Sequence, residues 1–117
     1  MSVPILKQGD VLIVSIQAAL SDKDLLQLRD ELAQHVGRQR ARGVIIDLTA
    51  LDVLDSFATR TLRTIAYTAK LRGAEAVVVG IQPEVAFAMV QLGLSLEGIA
   101  TALDLDEGLA QLRAQER

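Results

Sequence analysis

Asp52, Asp55 and Ser56 are the residues of this chain whose types and spacing could do chemistry. They stand in LDVLDSFATR, after the apolar run that starts at Gly43 and before a segment of helical period. A strand, an acidic loop and a helix in that order place the Ser56 hydroxyl at a helix start. There the first N–H groups have no partner inside the helix. Such a spot suits a phosphate, because the helix dipole is positive at that end. On these residues alone three roles are open to the serine: nucleophile, phosphate acceptor, or helix cap.

A serine nucleophile needs a base beside it, usually a histidine oriented by a carboxylate. His35 is the single histidine. It falls on the first helical segment between Gln34 and Arg38 and reads as a surface residue. No G-x-S-x-G elbow surrounds Ser56. A metal site has little to draw on, since there is no cysteine and one histidine. Asp47, Asp52 and Asp55 could hold Mg²⁺ in principle, but they read more simply as loop and cap carboxylates, and EF-hand spacing is missing. Neither G-x-x-x-x-G-K-S/T nor G-x-G-x-x-G occurs, and Gly80 alone at a strand end carries no such meaning. Asp47 ends a central strand, as in a phospho-aspartate receiver. That chemistry also needs an acidic pair after the first strand and a lysine after the last. Here Gln17-Ala18-Ala19 and Thr101-Ala102-Leu103 stand in those places. The expectation is a chain with no catalytic residue, no metal and no cofactor.

Asp55 can serve as N-cap, which puts Ser56 near the first helical position. A phosphate there carries about −1.5 to −2 charges at pH 7. The helix end returns about 0.5–2 kcal/mol of attraction. Asp52 and Asp55 oppose it, each by about 2–3 kcal/mol at ~6 Å and an effective dielectric of ~20, before salt screening. The balance within the domain is small, so the larger effect falls on a partner packed over the loop. A desolvated dianion in that contact costs about 3 kcal/mol, or roughly a hundredfold in affinity. Phe57 is an anchor for such a partner if exposed and a core residue if not. The docking surface expected from sequence is therefore Asp52, Asp55, Phe57 and Arg60.

The elements that position this loop follow from periodicity. Val3 to Gln8 reads as an edge strand, with Pro4 near its start. Gly9-Asp10 is a hairpin turn, and Val11 to Gln17 is the second strand. Ser21 caps a helix whose apolar stripe is Leu25, Leu28, Leu32 and Val36. Arg38, Arg40 and Arg42 follow. They read as basic residues complementing the helix C-terminus rather than as an anion site, with Gly43 as the stop. Gly43 to Leu48 is a strand apolar on both faces. Ser56 to Leu71 is a helix with Ala58, Leu62, Ile65 and Ala69 inward, ended by Gly73. Glu75 to Ile81 is another buried strand. Pro83 opens a helix at its first position, which Gly93 closes. A short edge strand is expected near Ile99 to Thr101, then a helix capped by Asp104 or Asp106 with Leu109 and Leu112 inward and a frayed end at residues 115–117. The order β-β-α-β-α-β-α-(β)-α predicts an α/β fold. Its sheet is mixed, mostly parallel, of four to five strands with about four helices.

The chain has 117 residues and is expected to be one domain over 1–117. Half the residues are apolar but 3% are aromatic, so Leu, Ile, Val and Ala build the core and no base-stacking platform is expected. A net charge of −3 gives no footprint for nucleic acid or an anionic membrane. The N-terminus has no signal-peptide pattern, and no run approaches the ~18 apolar residues of a spanning helix. A cytoplasmic domain is expected.

The strand-loop-helix ending in Asp55-Ser56 resembles the phosphorylatable loop of STAS domains, the anti-sigma-factor-antagonist family. PILK, LIVSIQ and GVIIDLT look like the RsbS type of stressosome core protein, and so do LDSF, GIQPEVA and TALDLDEGL. The resemblance runs over nearly the whole chain. It implies a non-enzymatic scaffold that packs with sister STAS proteins bearing N-terminal sensor domains, as a homo-oligomer and in a large hetero-oligomer. It implies capture of a serine kinase of the GHKL type, release on phosphorylation at Ser56 under stress, and a phosphatase that resets the state. Simple anti-sigma antagonists usually show Asp-Ser-Ser-Gly. Asp55-Ser56-Phe57-Ala58 departs from that. The departure favours the stressosome type over a simple antagonist that binds one kinase without a large assembly. It also leaves Thr59, one turn on, as a second possible acceptor.

Overall fold

The computed structural model describes residues 3–115. Met1, Ser2, Glu116 and Arg117, and with them most of the expected frayed end, lie outside the described residues. The chain runs β1 (Ile5–Gln8), β2 (Val11–Ser15), α1 (Asp22–Arg38), β3 (Gly43–Asp47), α2 (Ser56–Leu71), β4 (Glu75–Val79), α3 (Pro83–Gln91), β5 (Ala100–Ala102) and α4 (Leu105–Gln115). The strands form one sheet in the order β1-β2-β3-β4-β5. β1 and β2 are an antiparallel hairpin, and every other pairing is parallel.

Alternation along the strands divides the core. Leu12, Val14, Val44, Ile46 and Val78 face one way and meet the stripe of α1, the inner face of α2, and Val85 and Met89 of α3. Val11, Ile13, Ile45, Val77 and Val79 face the other way and meet Leu112 of α4. β3 and β4 are therefore covered on both sides, which is why their sequences are unbroken apolar runs. Each fully buried Leu, Ile or Val contributes about 1.5–3 kcal/mol relative to exposure.

Local chemistry sets the helix starts. The Ser21 Oγ accepts from the Asp24 N–H at 3.1 Å. A hydrogen bond from the Ser21 side chain, in turn, holds the Asp24 carboxyl below its ordinary range. Asp104, not Asp106, caps α4: its Oδ1 accepts from the Glu107 N–H at 2.9 Å. Pro83 stands in the first turn of α3.

Gly43 is not the stop of α1. The helix ends at Arg38, and the chain turns at Arg40, whose φ is +50°. The Ala41 N–H then reaches back to the Val36 carbonyl at 3.1 Å and closes the terminus. Gly43 is the first residue of β3, and a Cβ on it would run into the Leu112 side chain of α4. The glycine is needed for close packing of a helix on a strand, not for a turn. The first four strands are shorter than the sequence predicts. β1 starts at Ile5 rather than Val3, β2 ends at Ser15, β3 ends at Asp47, and β4 ends at Val79 because Gly80 turns the chain at φ +77°. The edge strand β5 lies one residue later than expected.

Candidate phosphoacceptor site

The loop of residues 48–55 leaves the C-terminal end of β3, where parallel α/β sheets present their functional loops. Its base is fastened by Asp47. The carboxylate Oδ1 accepts from the Thr49 N–H at 2.9 Å and from the Thr49 hydroxyl at 2.6 Å. The Leu48 N–H donates to the Val79 carbonyl at 2.9 Å, so the first residue past β3 is still held to β4. The Thr49 carbonyl accepts from Gln82 Nε2 at 2.7 Å, which links the loop to the start of α3. Gly80 lies directly beneath, where a Cβ would meet the Thr49 side chain and backbone.

Leu51 and Leu54 are buried and pin the loop to the core, while Asp52 and Val53 between them are exposed. Asp55 follows in extended conformation as the N-cap of α2, and its Oδ1 accepts from the Ala58 N–H at 2.7 Å. Ser56 is the first residue of α2 and is half-buried. Among the described residues its hydroxyl makes no hydrogen bond. Of the roles open to it from sequence, the cap is taken by Asp55.

The remaining candidates divide. Phe57 is half-buried: it packs against the main core and also lines a shallow groove between α1 and α2. Arg60 is exposed and lines the same groove, of about 100 Å³, with Leu26 and Arg29 of α1. Thr59 is 0% exposed, and its hydroxyl donates to the Asp55 carbonyl at 2.9 Å. Phosphoryl transfer to Thr59 would require the first turn of α2 to open.

His35 is half-buried near the C-terminus of α1, with Nδ1 3.2 Å from Gln39 Nε2. The C-terminal end of α1 leads into the start of β3, whereas Ser56 follows the far end of that strand, so the histidine and the serine lie on the same face of the sheet but towards opposite ends of β3. Asp47, Asp52 and Asp55 do not converge, and no cluster of three metal-ligating side chains occurs among the described residues. Also among them, no helix is long and apolar enough to cross a membrane.

Sequence reasoning missed the bracing of the loop by Gln82 and Gly80, and it missed Leu26 and Arg29 as neighbours of Phe57. A polar residue immediately before a helix-opening proline was the one signal available for Gln82.

Residues 2–108 match the STAS domain family. A serine-to-glutamate variant of RsbS from Moorella thermoacetica has the same fold, with a TM-score of 0.83 and 40% sequence identity over 97% of this chain and 96% of that one. A chain from a solved structure of the stressosome, described as a signal integration and transduction hub, gives 0.80 and 38% over 97% of this chain and 99% of that one. RsbRA of Bacillus subtilis (strain 168), an RsbT co-antagonist protein, is 24% identical over 100 residues. The match takes in 86% of this chain but 36% of RsbRA, so the chain spans about a third of that relative's length. The chain belongs to the STAS domain family, and over nearly its whole length it is similar to RsbS.

Proposed function

We propose that this chain is a non-enzymatic scaffold of a stressosome-type complex in the cytoplasm. It packs with sister STAS proteins that carry N-terminal sensor domains. It holds a serine kinase of the GHKL type, and it releases that kinase when Ser56 is phosphorylated under stress. A phosphatase then restores the unmodified state.

One observation carries the reading: Ser56 opens α2 with its hydroxyl free of hydrogen bonds among the described residues, on a braced loop, in a chain 40% identical to the RsbS of Moorella thermoacetica. The burial of Thr59 favours Ser56 as the acceptor. The single histidine lies towards the other end of β3 from the serine, which favours a substrate role over a nucleophilic one.

The test is incubation with the cognate kinase and ATP, followed by mapping of the modified residue. Label on Ser56 that disappears in Ser56→Ala is the expected result, and stoichiometric label elsewhere on the folded chain overturns it. Capture by the unmodified chain and by Ser56→Ala should be equal, with the phosphorylated chain weaker by roughly a hundredfold and Ser56→Asp, which carries one negative charge, weakened less. Size measurement with and without sister STAS proteins separates a scaffold from a simple antagonist, which would never co-assemble.

A further inference from the structure

Three arginines lie around the start of α2, and two of them are occupied. Arg29 of α1 pairs with Asp30 at 2.9 Å. Arg63 donates to the Ser95 carbonyl at 3.2 Å. Arg60 is exposed, and among the described residues its guanidinium has no hydrogen-bond or ion-pair partner. It stands four residues after Ser56 on the same helix. Side chains at that spacing are neighbours on the helix surface, and an anion N-terminal to a cation is the favourable order. The guanidinium fork also matches the oxygens of a phosphate.

We propose that Arg60 receives the phosphate on Ser56, as an intramolecular clamp that holds it along the first turn of α2. This rests on the reading of Ser56 as the acceptor. The clamp offsets the repulsion from Asp52 and Asp55, the carboxylates nearest in the chain. Asp55 is already turned into the helix end by its bond to the Ala58 N–H. Arg60 is also one of the two arginines that line the groove floored by Leu26 and Phe57. Pairing with the phosphate turns that part of the groove wall from positive to net negative, because the phosphate carries about −1.5 to −2 charges against one on the guanidinium. Modification of one residue thereby changes the charge of a surface extending onto α1. Arg60 is a positioning residue in this scheme: it touches the phosphate after transfer and has no part in the transfer.

The test installs phosphoserine at position 56 during translation, so that no kinase is needed. The phosphate is titrated by ³¹P NMR in the wild-type chain, in Arg60→Gln and in Arg60→Lys. In Arg60→Gln the second ionisation should lie close to the ordinary phosphoserine value of about 6. In the wild type it should lie lower by about half a pH unit, a difference that shrinks as salt is raised. Arg60→Lys, which keeps the charge, should titrate near the wild type. The Arg60 Nε–H resonance should move on phosphorylation while that of Arg63 stays. Coincident titrations of the wild type and Arg60→Gln overturn the clamp, as does a Lys variant that behaves like Gln. Either result leaves Ser56 standing as acceptor. Kinase labelling at another residue overturns the acceptor reading and leaves the titration result untouched.

Discussion

Gln82 Nε2 donates to the Thr49 carbonyl at 2.7 Å, across 33 residues of sequence. The bond fastens the loop that carries Ser56 to the first turn of α3, so the loop is braced on a second element as well as on β3. A carbonyl left without this donor stays near the surface and can recruit water, so the loss is that of one ordinary hydrogen bond. Gln82→Ala should cost about 1 kcal/mol, lowering Tm by about 4 °C. Amide hydrogen exchange should accelerate in the loop before Ser56 while the β3 and β4 amides keep their protection. Equal exchange in the loop of both chains would show that the bond does not hold it.

Gly80 and Gly93 allow the steric part of the brace to be read separately. Both have positive φ, +77° and +69°. A Cβ at Gly93 meets nothing within 4 Å, whereas one at Gly80 meets the Thr49 hydroxyl and the Thr49 backbone. Alanine at either position carries the left-handed strain, about 1–2 kcal/mol. Only Gly80→Ala also displaces the loop. It should therefore be the more destabilising of the two by at least about 1 kcal/mol in urea denaturation, and it alone should shift the NMR signals of Thr49 and Ser56.

Asp55 is expected to act as a cap whose charge is dispensable for folding. Asp55→Ala leaves the Ala58 N–H without its acceptor and should cost about 1 kcal/mol. Asp55→Asn keeps an oxygen at the same place and should be close to the wild type in thermal denaturation. If the Asn variant is as unstable as the Ala variant, the carboxylate charge on the helix dipole carries the effect rather than the hydrogen bond.

The parts of this site that were legible in the sequence are those fixed by local chemistry. Helix α2 starts at Ser56 and ends at Leu71 as its period predicts, with Asp55 as cap. Pro83 and Ser21 likewise mark their helices. What was not legible depends on elements distant in the chain. Thr59 stands beside the apolar stripe of α2, yet it is fully buried because that helix is covered by both the sheet and α1. The bond from Gln82 to Thr49 and the fit of Gly80 under Thr49 arise only when β3 and β4 are paired. Glycine is common at helix stops, and that is all the local sequence around Gly43 suggests. Its actual neighbour, Leu112, is 69 positions later (112 − 43) and left no local trace.

Ser56→Asp should leave the fold nearly as stable as the wild type. An acid at the first position of α2 gains about 0.3–1 kcal/mol from the helix dipole. Asp52, exposed in the preceding loop, and Asp55, at the cap, repel it by a similar amount once water and salt screen the charges. The opposition can be isolated by a double-mutant cycle with Asp52→Asn, which removes one carboxylate from a residue that makes no cap. In the Ser56→Asp background Asp52→Asn should stabilise by about 0.5 kcal/mol more than it does in the wild type. The difference should vanish in high salt, as expected for exposed charges. Urea denaturation of the four chains at low and high salt measures it. A large loss of stability in Ser56→Asp alone would mean that a negative charge at this position acts by unfolding α2. It would then act through the fold itself and not only on a partner docked over the loop, as proposed.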